Sequence, residues 1–460
     1  MITYEQAIEY LESFIDYERL SAPYDPNGWK LERVERLLEL VGNPHLKLKV
    51  IHIAGTKGKG STSAIVASIL KSAGYKVGLY TSPHLVTFRE RIVINDDMIP
   101  KEQVCEMVEY IKPYVEKLQK EDNVGILSFF DVYTAIAMLF FEFEKVDFVV
   151  LEVGMGGRLD ATNVVNPLVS VITPISYDHI LILGDTLTAI AGEKAGIIKE
   201  NGYVVTSPQE PEALKVIKDT CEKKNAILFQ VGEDIIYEKT QTGAFSEFGV
   251  YGIFGKYDHL MVQLLGEHQI INATTAVGAI ECLRFYGIKI PLAGIKSGMF
   301  NIKWKARVEV VQYNPIIILD VAHNSASAKA LSDTIKKTFG YQKLILIFGI
   351  SLHKDVKGMG EYLCPIADKI ILTKINNPRA MTPEAIKEEL LDFCDDFIIT
   401  QDTQSAIQIA KSIATPLDLI CITGSFYLAG EAMRVLNIGL YDGFDMELAE
   451  PRFTTPSEGE

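Results

Sequence analysis

Residues 48–62 read LKVIHIAGTKGKGST, and this stretch decides the fold of the N-terminal half of the chain. It opens with a short apolar run, rich in β-branched side chains and ended by glycine, which is typical of a buried strand. Apolar helical spacing then runs from Ser61 to Ala73 and stops at Gly74. The next apolar run, KVGLYTS, predicts a second strand. The order strand, glycine-rich turn, helix and strand is that of a βαβ unit.

The turn GTKGKGST has the composition of a phosphate-binding loop. Glycines let the backbone wrap around phosphates, the helix N-terminus supplies N–H donors, and Lys59 can reach the β and γ oxygens. The generic pattern is Gly, four residues, then Gly-Lys-Ser/Thr. It is not met here, since Ile53 stands at the first glycine and Gly60 separates Lys59 from Ser61. The strand–turn–helix context still predicts a nucleotide site.

Other apolar runs extend the pattern. VDFVVLEVG (146–154) and LVSVITPI (168–175) lack polar alternation, as central strands of a parallel sheet do. Residues 234–265 alternate and contain aromatic residues and glycines, which predicts a small antiparallel sheet. Helical spacing is found at 4–19, 30–41, 101–120, 129–144 and 269–286.

The C-terminal part alternates strands and helices again, which implies a second doubly wound sheet. Residues 291–305 show few periodic signals and separate the two parts. We therefore predict an α/β protein with an N-terminal P-loop ATPase-like domain, residues 1–299, on a mostly parallel sheet. A smaller Rossmann-like α/β domain, residues 300–460, follows, with a frayed tail at 450–460. Its predicted strands are PIIILDVA (315–322), KLILIFGIS (343–351), DKIILTKI (368–375), DFIIT (396–400) and LDLICITGS (417–425).

The composition argues against several kinds of protein. Asp and Glu total 60 against 45 Lys and Arg, a net charge of −15, whereas general binders of nucleic acid or membrane surfaces are normally basic. The six cysteines are too scattered for CxxC or zinc motifs, so we expect reduced thiols in a cytoplasmic protein. MITYEQAIEYLESF has no basic segment, so we expect no signal peptide. The longest apolar stretch, TAIAMLFF from residue 134, is too short to span a bilayer.

IHIAGTKGKGST (51–62), followed by YTSPHL (80–85), resembles the folylpolyglutamate synthase and dihydrofolate synthase family of the Mur ligase superfamily. The resemblance covers nearly the whole chain and implies an ATP-binding domain at 1–299 and a glutamate-ligase domain at 300–460. Further segments match in the family's order: LEVGMGGRLDATN (151–163), DHILILGDT (178–186), EKAGIIK (193–199), GEHQIINA (266–273), WKAR (304–307), LDVAHN (319–324) and TGSFYLAGE (423–431).

The resemblance implies two Mg²⁺ sites. Glu152 stands at the C-terminal end of a predicted buried strand, the edge where open α/β sheets bind ligands, and Mg²⁺ prefers such oxygen ligands. By resemblance, Ser82 and Glu152 bind the first Mg²⁺ and His179 binds the second. On sequence alone, a bare Ser-Pro turn is the alternative for Ser82, and a lone histidine such as His179 is more often an ordinary loop residue.

The resemblance also implies the nucleotide site. Asn272 is expected near the adenine, Arg307 at a phosphate and Asp320 at the ribose, although each taken singly is more often structural. The glycine-rich turn contributes Gly55, Thr56, Gly58, Lys59, Gly60, Ser61 and Thr62.

Lys59, Lys194 and His323 are the implied catalytic residues. Lys194 matches the lysine that the family carbamylates. A protonated lysine beside two Mg²⁺ ions would repel them, whereas a carbamate offers anionic oxygens. Carbamate formation needs the neutral amine, so the site should lower the pKa of Lys194. Without the resemblance, Lys194 is a helix-surface lysine and His323 a residue of a strand-to-helix turn.

The resemblance also implies an acceptor pocket, on the pterin side, formed by two loops. The implied pocket residues are Pro83, His84, Gly156, Gly157, Arg158 and Asp160.

The sequence departs from the family's usual pattern at four places. These are Phe130-Asp131 for Phe-Glu, Val321 for a small residue, Lys305-Ala306 for Pro-Gly, and SYDH for GLDH.

The implied reaction is ATP-dependent ligation of L-glutamate to a reduced folate through an acyl phosphate. Dihydropteroate as a further acceptor stays open, and we expect a monomer that binds neither nucleic acid nor membranes. One alternative is a Mur ligase for peptidoglycan precursors, which the GTKGKGST and SPHL elements disfavour. Another is a nucleotide-binding protein without ligase activity, which the retention of Lys59, Glu152, His179 and Lys194 disfavours.

Overall fold

The computed structural model describes residues 2–16, 30–121, 126–242 and 246–438. The predicted tail at 450–460 and residues 17–19 of the first predicted helix lie outside these ranges. That helix ends at Glu12, so its prediction was wrong for residues 13–16.

An eight-stranded sheet forms the N-terminal half. Its order is β4-β3-β2-β5-β1-β6-β7-β8, in which β3 pairs antiparallel with both β2 and β4, and all other neighbours pair parallel. The βαβ unit read from residues 48–82 is present. The strands are β1 Val50–Ala54, β2 Val77–Tyr80, β3 Ile92–Ile94, β4 Asp97–Met98, β5 Phe148–Glu152, β6 Val169–Ile172, β7 Tyr203–Thr206 and β8 Ile227–Gln230.

Helices cover both faces of this sheet because each central strand is apolar on both sides. Along β1, Ile51 and Ile53 pack towards α3, α9 and α10, whereas Val50 packs towards α1, α2, α4 and α5. These helices, with their neighbours, are α1 Tyr4–Glu12, α2 Leu31–Leu40, α3 Lys59–Ser72, α4 Lys101–Leu118, α5 Phe129–Phe143, α6 Ile180–Leu183, α7 Leu187–Ala195, α8 Pro211–Lys223, α9 Glu267–Cys282 and α10 Leu292–Phe300.

Helix α10 was not predicted. Its sequence, LAGIKSGMF, is short and carries two glycines, so its apolar spacing gives a weak signal. The glycines are needed for packing: a Cβ at Gly298 would lie 2.4 Å from Cα of Ile69 on α3. Helix α10 therefore lies directly against the helix that follows the glycine-rich turn.

The predicted antiparallel piece at 234–265 is present as a three-stranded sheet of order β11-β10-β9. Its inner side joins the same core as α3 and α9, through Phe248 and Leu260. The strands are β9 Ile236–Thr242, β10 Ser246–Tyr251 and β11 Lys256–Val262.

A six-stranded sheet of order β12-β13-β17-β14-β15-β16 forms the C-terminal half. Only β12 is antiparallel, and helices cover both faces. The predicted α/β fold class is confirmed, and we propose the domain boundary at residue 300, the end of α10. The elements are β12 Glu309–Gln312, β13 Ile316–Leu319, α11 Ser325–Thr338, β14 Leu344–Phe348, α12 Val356–Leu363, β15 Lys369–Leu372, α13 Pro383–Leu390, β16 Phe397–Ile399, α14 Thr403–Ile413, β17 Leu419–Thr423 and α15 Phe426–Val435.

The two halves touch through the loop that follows β2. Leu85 and Val86 pack against the core on one face of the C-terminal sheet, and Arg434 of α15 donates a 2.7 Å hydrogen bond to the Val86 carbonyl. The loop that contains the predicted ligand Ser82 is thus attached to the C-terminal half.

The described part of the chain contains no helix that is both long and apolar enough to cross a membrane. All six cysteines are free thiols, and five of them are buried.

Candidate active site

A cavity of about 1220 Å³ lies between the two halves of the chain. The C-terminal ends of parallel strands from both sheets face it, as expected for ligand sites in open α/β sheets. Five predicted site residues line it: Ser82, Pro83, Asp160, His179 and His323.

The glycine-rich turn forms a tight cradle beside this cavity. The amides of Thr56 and Lys57 both donate 3.0 Å hydrogen bonds to the Pro174 carbonyl. Gly58 has φ 78°, and a Cβ there would lie 2.2 Å from Oδ1 of Asn272, so only glycine fits. Helix α3 starts at Lys59, and its first N–H groups are thus available to a phosphate.

Glu152 ends strand β5 with a carboxylate that is 4% exposed. Burial raises its pKa to about 7, although the charge of Lys59 and the 3.3 Å hydrogen bond from the Ser82 amide lower it. A buried carboxylate whose negative charge is only partly compensated by hydrogen bonds and nearby charges is a suitable ligand for a metal cation. The described residues contain no cluster of three or more His, Cys, Asp or Glu side chains for a metal. The buried carboxylate of Glu152 fits Mg²⁺, which is usually held by one or two carboxylates together with substrate phosphates.

Lys194 lies on α7 with its side chain turned into the protein. It is 4% exposed, and its Nζ donates a 2.8 Å hydrogen bond to the Gly55 carbonyl of the glycine-rich turn. The pKa of Lys194 is lowered to about 7, mainly by burial and next by the charge of Lys59, with Lys57 acting in the same direction and Asp178 in the opposite one. A substantial fraction of Lys194 is therefore neutral at physiological pH.

Arg307 and Asp320 lie in the C-terminal half, and the charge of Arg307 acts on Glu152 of the N-terminal half. Arg307 lies over the Phe426 ring, 5.2 Å from its centroid. The Asp320 carboxylate accepts hydrogen bonds from the amides of Val308 (3.0 Å) and Ala322 (2.7 Å). Oδ2 therefore holds the backbone next to Arg307, and Oδ1 holds the loop that follows β13; burial raises the pKa of Asp320 to about 6. Its predicted contact with ribose stays a prediction.

The loop after β5 is folded against α7. The Arg158 side chain donates two hydrogen bonds to Oε1 of Glu193, at 2.8 and 3.1 Å, and is 55% exposed. Arg158 does not line the cavity, and neither do Gly156 and Gly157. Buried Asp160 accepts from the amides of Met155 and Thr162 and so fixes the shape of the loop.

The other predicted ligands lie at the cavity wall or just behind it. The Ser82–Pro83 peptide bond is cis. His84 is behind the wall, where its Nδ1 accepts a 2.9 Å hydrogen bond from Nε of the buried Arg91. The His179 side chain is 44% exposed at the cavity, and its backbone has φ 51°.

Sequence reasoning missed a charged cluster centred on Asp178. Its carboxylate lies 3.1 Å from Nζ of Lys354, 3.5 Å from Nε2 of His323 and 3.9 Å from Nζ of Lys57. Burial would raise the pKa of Asp178, but the hydrogen bond with His323 and the nearby positive charges hold it well below its usual range. Lys57 and Asp178 stand inside quoted motifs without an assigned role, whereas nothing in the sequence marks Lys354.

A second pair, of which only Asp131 was noted in the sequence, also lines the cavity. Nη2 of Arg33 lies 3.8 Å from Oδ2 of Asp131, and both side chains are nearly buried. The same oxygen accepts a 2.8 Å hydrogen bond from the Ser128 amide and so also caps α5. The shorter carboxylate at this position is thus held by both a helix cap and an arginine.

Comparison with known families matches residues 53–280 to the Mur ligase middle domain and residues 306–426 to the Mur ligase glutamate ligase domain. A dihydrofolate synthase/folylpolyglutamate synthase of Bacillus subtilis strain 168 is 37% identical over 412 residues, covering 88% of this chain and 94% of that protein. The folylpolyglutamate synthase of Lacticaseibacillus casei is 32% identical over 440 residues, covering 95% and 99%.

Solved structures agree. Mycobacterium tuberculosis folylpolyglutamate synthase with ADP and AMPPCP superposes with a TM-score of 0.86 at 30% identity, covering 94% of this chain and 98% of that one. Escherichia coli FolC with DHPP and ADP gives a TM-score of 0.83 at 29% identity, covering 95% and 98%.

The fold, the nucleotide cradle and the two matched domains define an ATP-dependent ligase of the Mur type. Within that class, the chain belongs to the folylpolyglutamate synthase/dihydrofolate synthase family, which confirms the resemblance read from its motifs. The relatives named here are folate enzymes, so the peptidoglycan and non-catalytic alternatives are not supported.

Proposed function

We propose that this protein joins L-glutamate to a reduced folate and to its polyglutamates, with ATP and Mg²⁺. The observation that carries the proposal is the convergence of Lys59, Glu152 and Lys194 at the glycine-rich turn, beside a large cavity lined by both halves. The E. coli relative in complex with DHPP and ADP supports small-molecule substrates of this kind.

The chemistry follows from the substrates. A carboxylate is a poor electrophile, so an oxygen of the acceptor carboxylate attacks the γ-phosphorus of ATP and yields an acyl phosphate and ADP. The glutamate amine then attacks the carbonyl carbon, and phosphate leaves with the oxygen that bridged carbon and phosphorus. Phosphoryl transfer depends mainly on positioning and charge neutralisation, the roles we assign to Lys59 and Arg307. Burial of the site between two domains protects the acyl phosphate from water.

Ser82, Glu152 and His179 are the residues that we propose hold two Mg²⁺ ions. Bound Mg²⁺ neutralises the phosphate oxygens and orients them for transfer. Glu152 fits this role because its carboxylate is buried and its charge is only partly compensated, while the Ser82 amide donates a hydrogen bond to it. Nζ of Lys194 lies at the Gly55 carbonyl of the glycine-rich turn, and a carbamate there would add anionic oxygens.

Glu152→Gln is expected to raise the Mg²⁺ concentration needed for half-maximal activity by at least about 10-fold, because the amide keeps the shape and loses the charge. A Mg²⁺ titration of initial rates measures this. In the unchanged protein, the requirement should also rise as the pH falls below 7, since protonated Glu152 cannot bind the ion. Glu142→Gln, a surface change, is the control. An unchanged titration would remove Glu152 from the metal site.

The enzyme is expected to use dihydropteroate as well as tetrahydrofolate, since the relatives from B. subtilis and E. coli combine both activities in their names. Incorporation of labelled glutamate with each acceptor, at matched ATP and with ATP-free controls, tests this. No product from dihydropteroate would leave a folylpolyglutamate synthase alone. No product from any reduced folate would overturn the proposed function.

A monomeric state, a cytoplasmic location and the lack of nucleic-acid or membrane partners stay predictions. Sedimentation of the purified protein over a range of concentrations tests the first of them.

A further inference from the structure

We propose that Asp178 is a positioning residue that ties the two halves of the molecule together and so brings Lys354 and His323 into the reaction site. The inference rests on the proposed function, because it assigns those two residues to the ligation reaction.

Three loops converge on this carboxylate. Asp178 follows β6 of the N-terminal sheet, while His323 and Asn324 follow β13 and Lys354 follows β14 of the C-terminal sheet. Oδ1 of Asp178 accepts a hydrogen bond from Nζ of Lys354, and Oδ2 faces Nε2 of His323 and Nδ2 of Asn324, each at 3.5 Å. Both carboxylate oxygens therefore contact the opposite half.

The contact between the two halves depends on Asp178 because lysines approach its carboxylate from both of them. Lys57 reaches the same carboxylate from the N-terminal half, and its buried Nζ has no hydrogen-bond partner among the described residues. Asp178 is 12% exposed and Lys354 is 18% exposed, so solvent screens the cluster weakly. Without the carboxylate, Lys354 and Lys57 would lose the group that both approach from opposite halves.

The positions of the partners connect this contact to catalysis. His323, Lys354 and Asp178 all line the cavity. Nδ1 of His323 is held by the Val321 carbonyl at 2.9 Å, which leaves Nε2 directed at Asp178. The lysine and the histidine belong to the C-terminal half, whereas the glycine-rich turn belongs to the N-terminal half. The link through Asp178 across the cavity therefore fixes Lys354 and His323 relative to the glycine-rich turn.

A double-mutant cycle with Asp178→Asn and Lys354→Met tests the proposal, with kcat and the KM values for ATP and glutamate as readouts. Each single change is expected to lower kcat about 10-fold or more with little change in the KM for ATP. The double variant is expected to be no slower than the slower single variant, because contacting residues are not additive. Asp178→Glu, which keeps the charge, should retain more activity than Asp178→Asn.

The control is Lys337→Met. It removes another ion pair between the halves, Lys337 with Glu267 at 3.3 Å, which is exposed and does not line the cavity. Its kcat should be unchanged. Circular dichroism and thermal unfolding of each variant identify any that fail to fold.

Small-angle X-ray scattering gives a readout that does not depend on activity. The ADP-bound Asp178→Asn variant is expected to have a larger radius of gyration than the unchanged protein. The proposal would be overturned if the kcat losses of the two single variants multiplied in the double variant. It would also be overturned if Asp178→Asn had a normal kcat and an unchanged radius of gyration. If the unchanged protein ligates no folate, the proposed function fails instead. The scattering comparison still tests whether Asp178 holds the two halves together.

Discussion

Ligation is expected to fall by at least about 1000-fold in Lys59→Ala, with the fold intact. A cation beside the phosphoryl group being transferred commonly accelerates the reaction by about this factor, because negative charge spreads over the phosphoryl oxygens in the transition state. Lys59 begins α3, and its charge acts on both Glu152 and Lys194. Initial rates of glutamate incorporation at saturating ATP measure the loss.

The matched control for this change is Lys71→Ala. Lys71 lies at the other end of α3, where it is exposed and pairs with Asp96 on the surface. It should leave the rate unchanged. Near-normal turnover in Lys59→Ala would contradict the assignment of the glycine-rich turn to the ATP phosphates.

Lys194→Arg is expected to reduce activity by at least about 100-fold, since arginine keeps a positive charge but cannot form a carbamate. The neutral Nζ attacks the carbon of CO₂, loses a proton and becomes an anionic carbamate. Because burial lowers the pKa of Lys194 to about 7, the neutral form dominates above that pH. Reactivation of CO₂-depleted enzyme by bicarbonate should therefore be stronger at about pH 8 than at about pH 6.

Mass spectrometry of the native protein with ¹³C-labelled bicarbonate, after trapping of the carbamate, provides a direct test. Lys215→Arg on the exposed face of α8 is the control. In Lys194→Ala, a small carboxylic acid that fills the gap should restore part of the activity. Normal turnover in Lys194→Arg, or an unmodified Lys194 in active enzyme, would contradict the carbamate.

The sequence predicted most of the fold because strands and turns here carry local signals. Apolar runs such as LKVIHIAG mark strands buried on both faces, and Gly58 marks the turn that follows one of them. Helix α10 was not predicted because its glycines weaken the helical pattern, and the close approach of Gly298 to Ile69 exists only in the folded chain. A glycine that weakens the helical pattern in the sequence is here what allows two helices to pack.

The site was predicted only in part, and the reasons are physical. Glu152 and Lys194 belong to motifs, so the resemblance pointed to them, and their burial agrees with the roles proposed. Arg158 has the chemistry of an anion ligand, yet its partner is Glu193 on α7. Asp178 and Lys354 are 176 positions apart and meet only because two sheets face one cavity, which no local pattern encodes.

We propose that this protein activates the acceptor carboxylate as an acyl phosphate. The most direct test uses tetrahydrofolate labelled with ¹⁸O in the carboxylate that receives glutamate, together with ATP and L-glutamate. Mass spectrometry of the released phosphate is expected to find one ¹⁸O atom per phosphate, because the attacking oxygen leaves with phosphorus. Unlabelled phosphate, or AMP that carries the label together with pyrophosphate, would contradict the account.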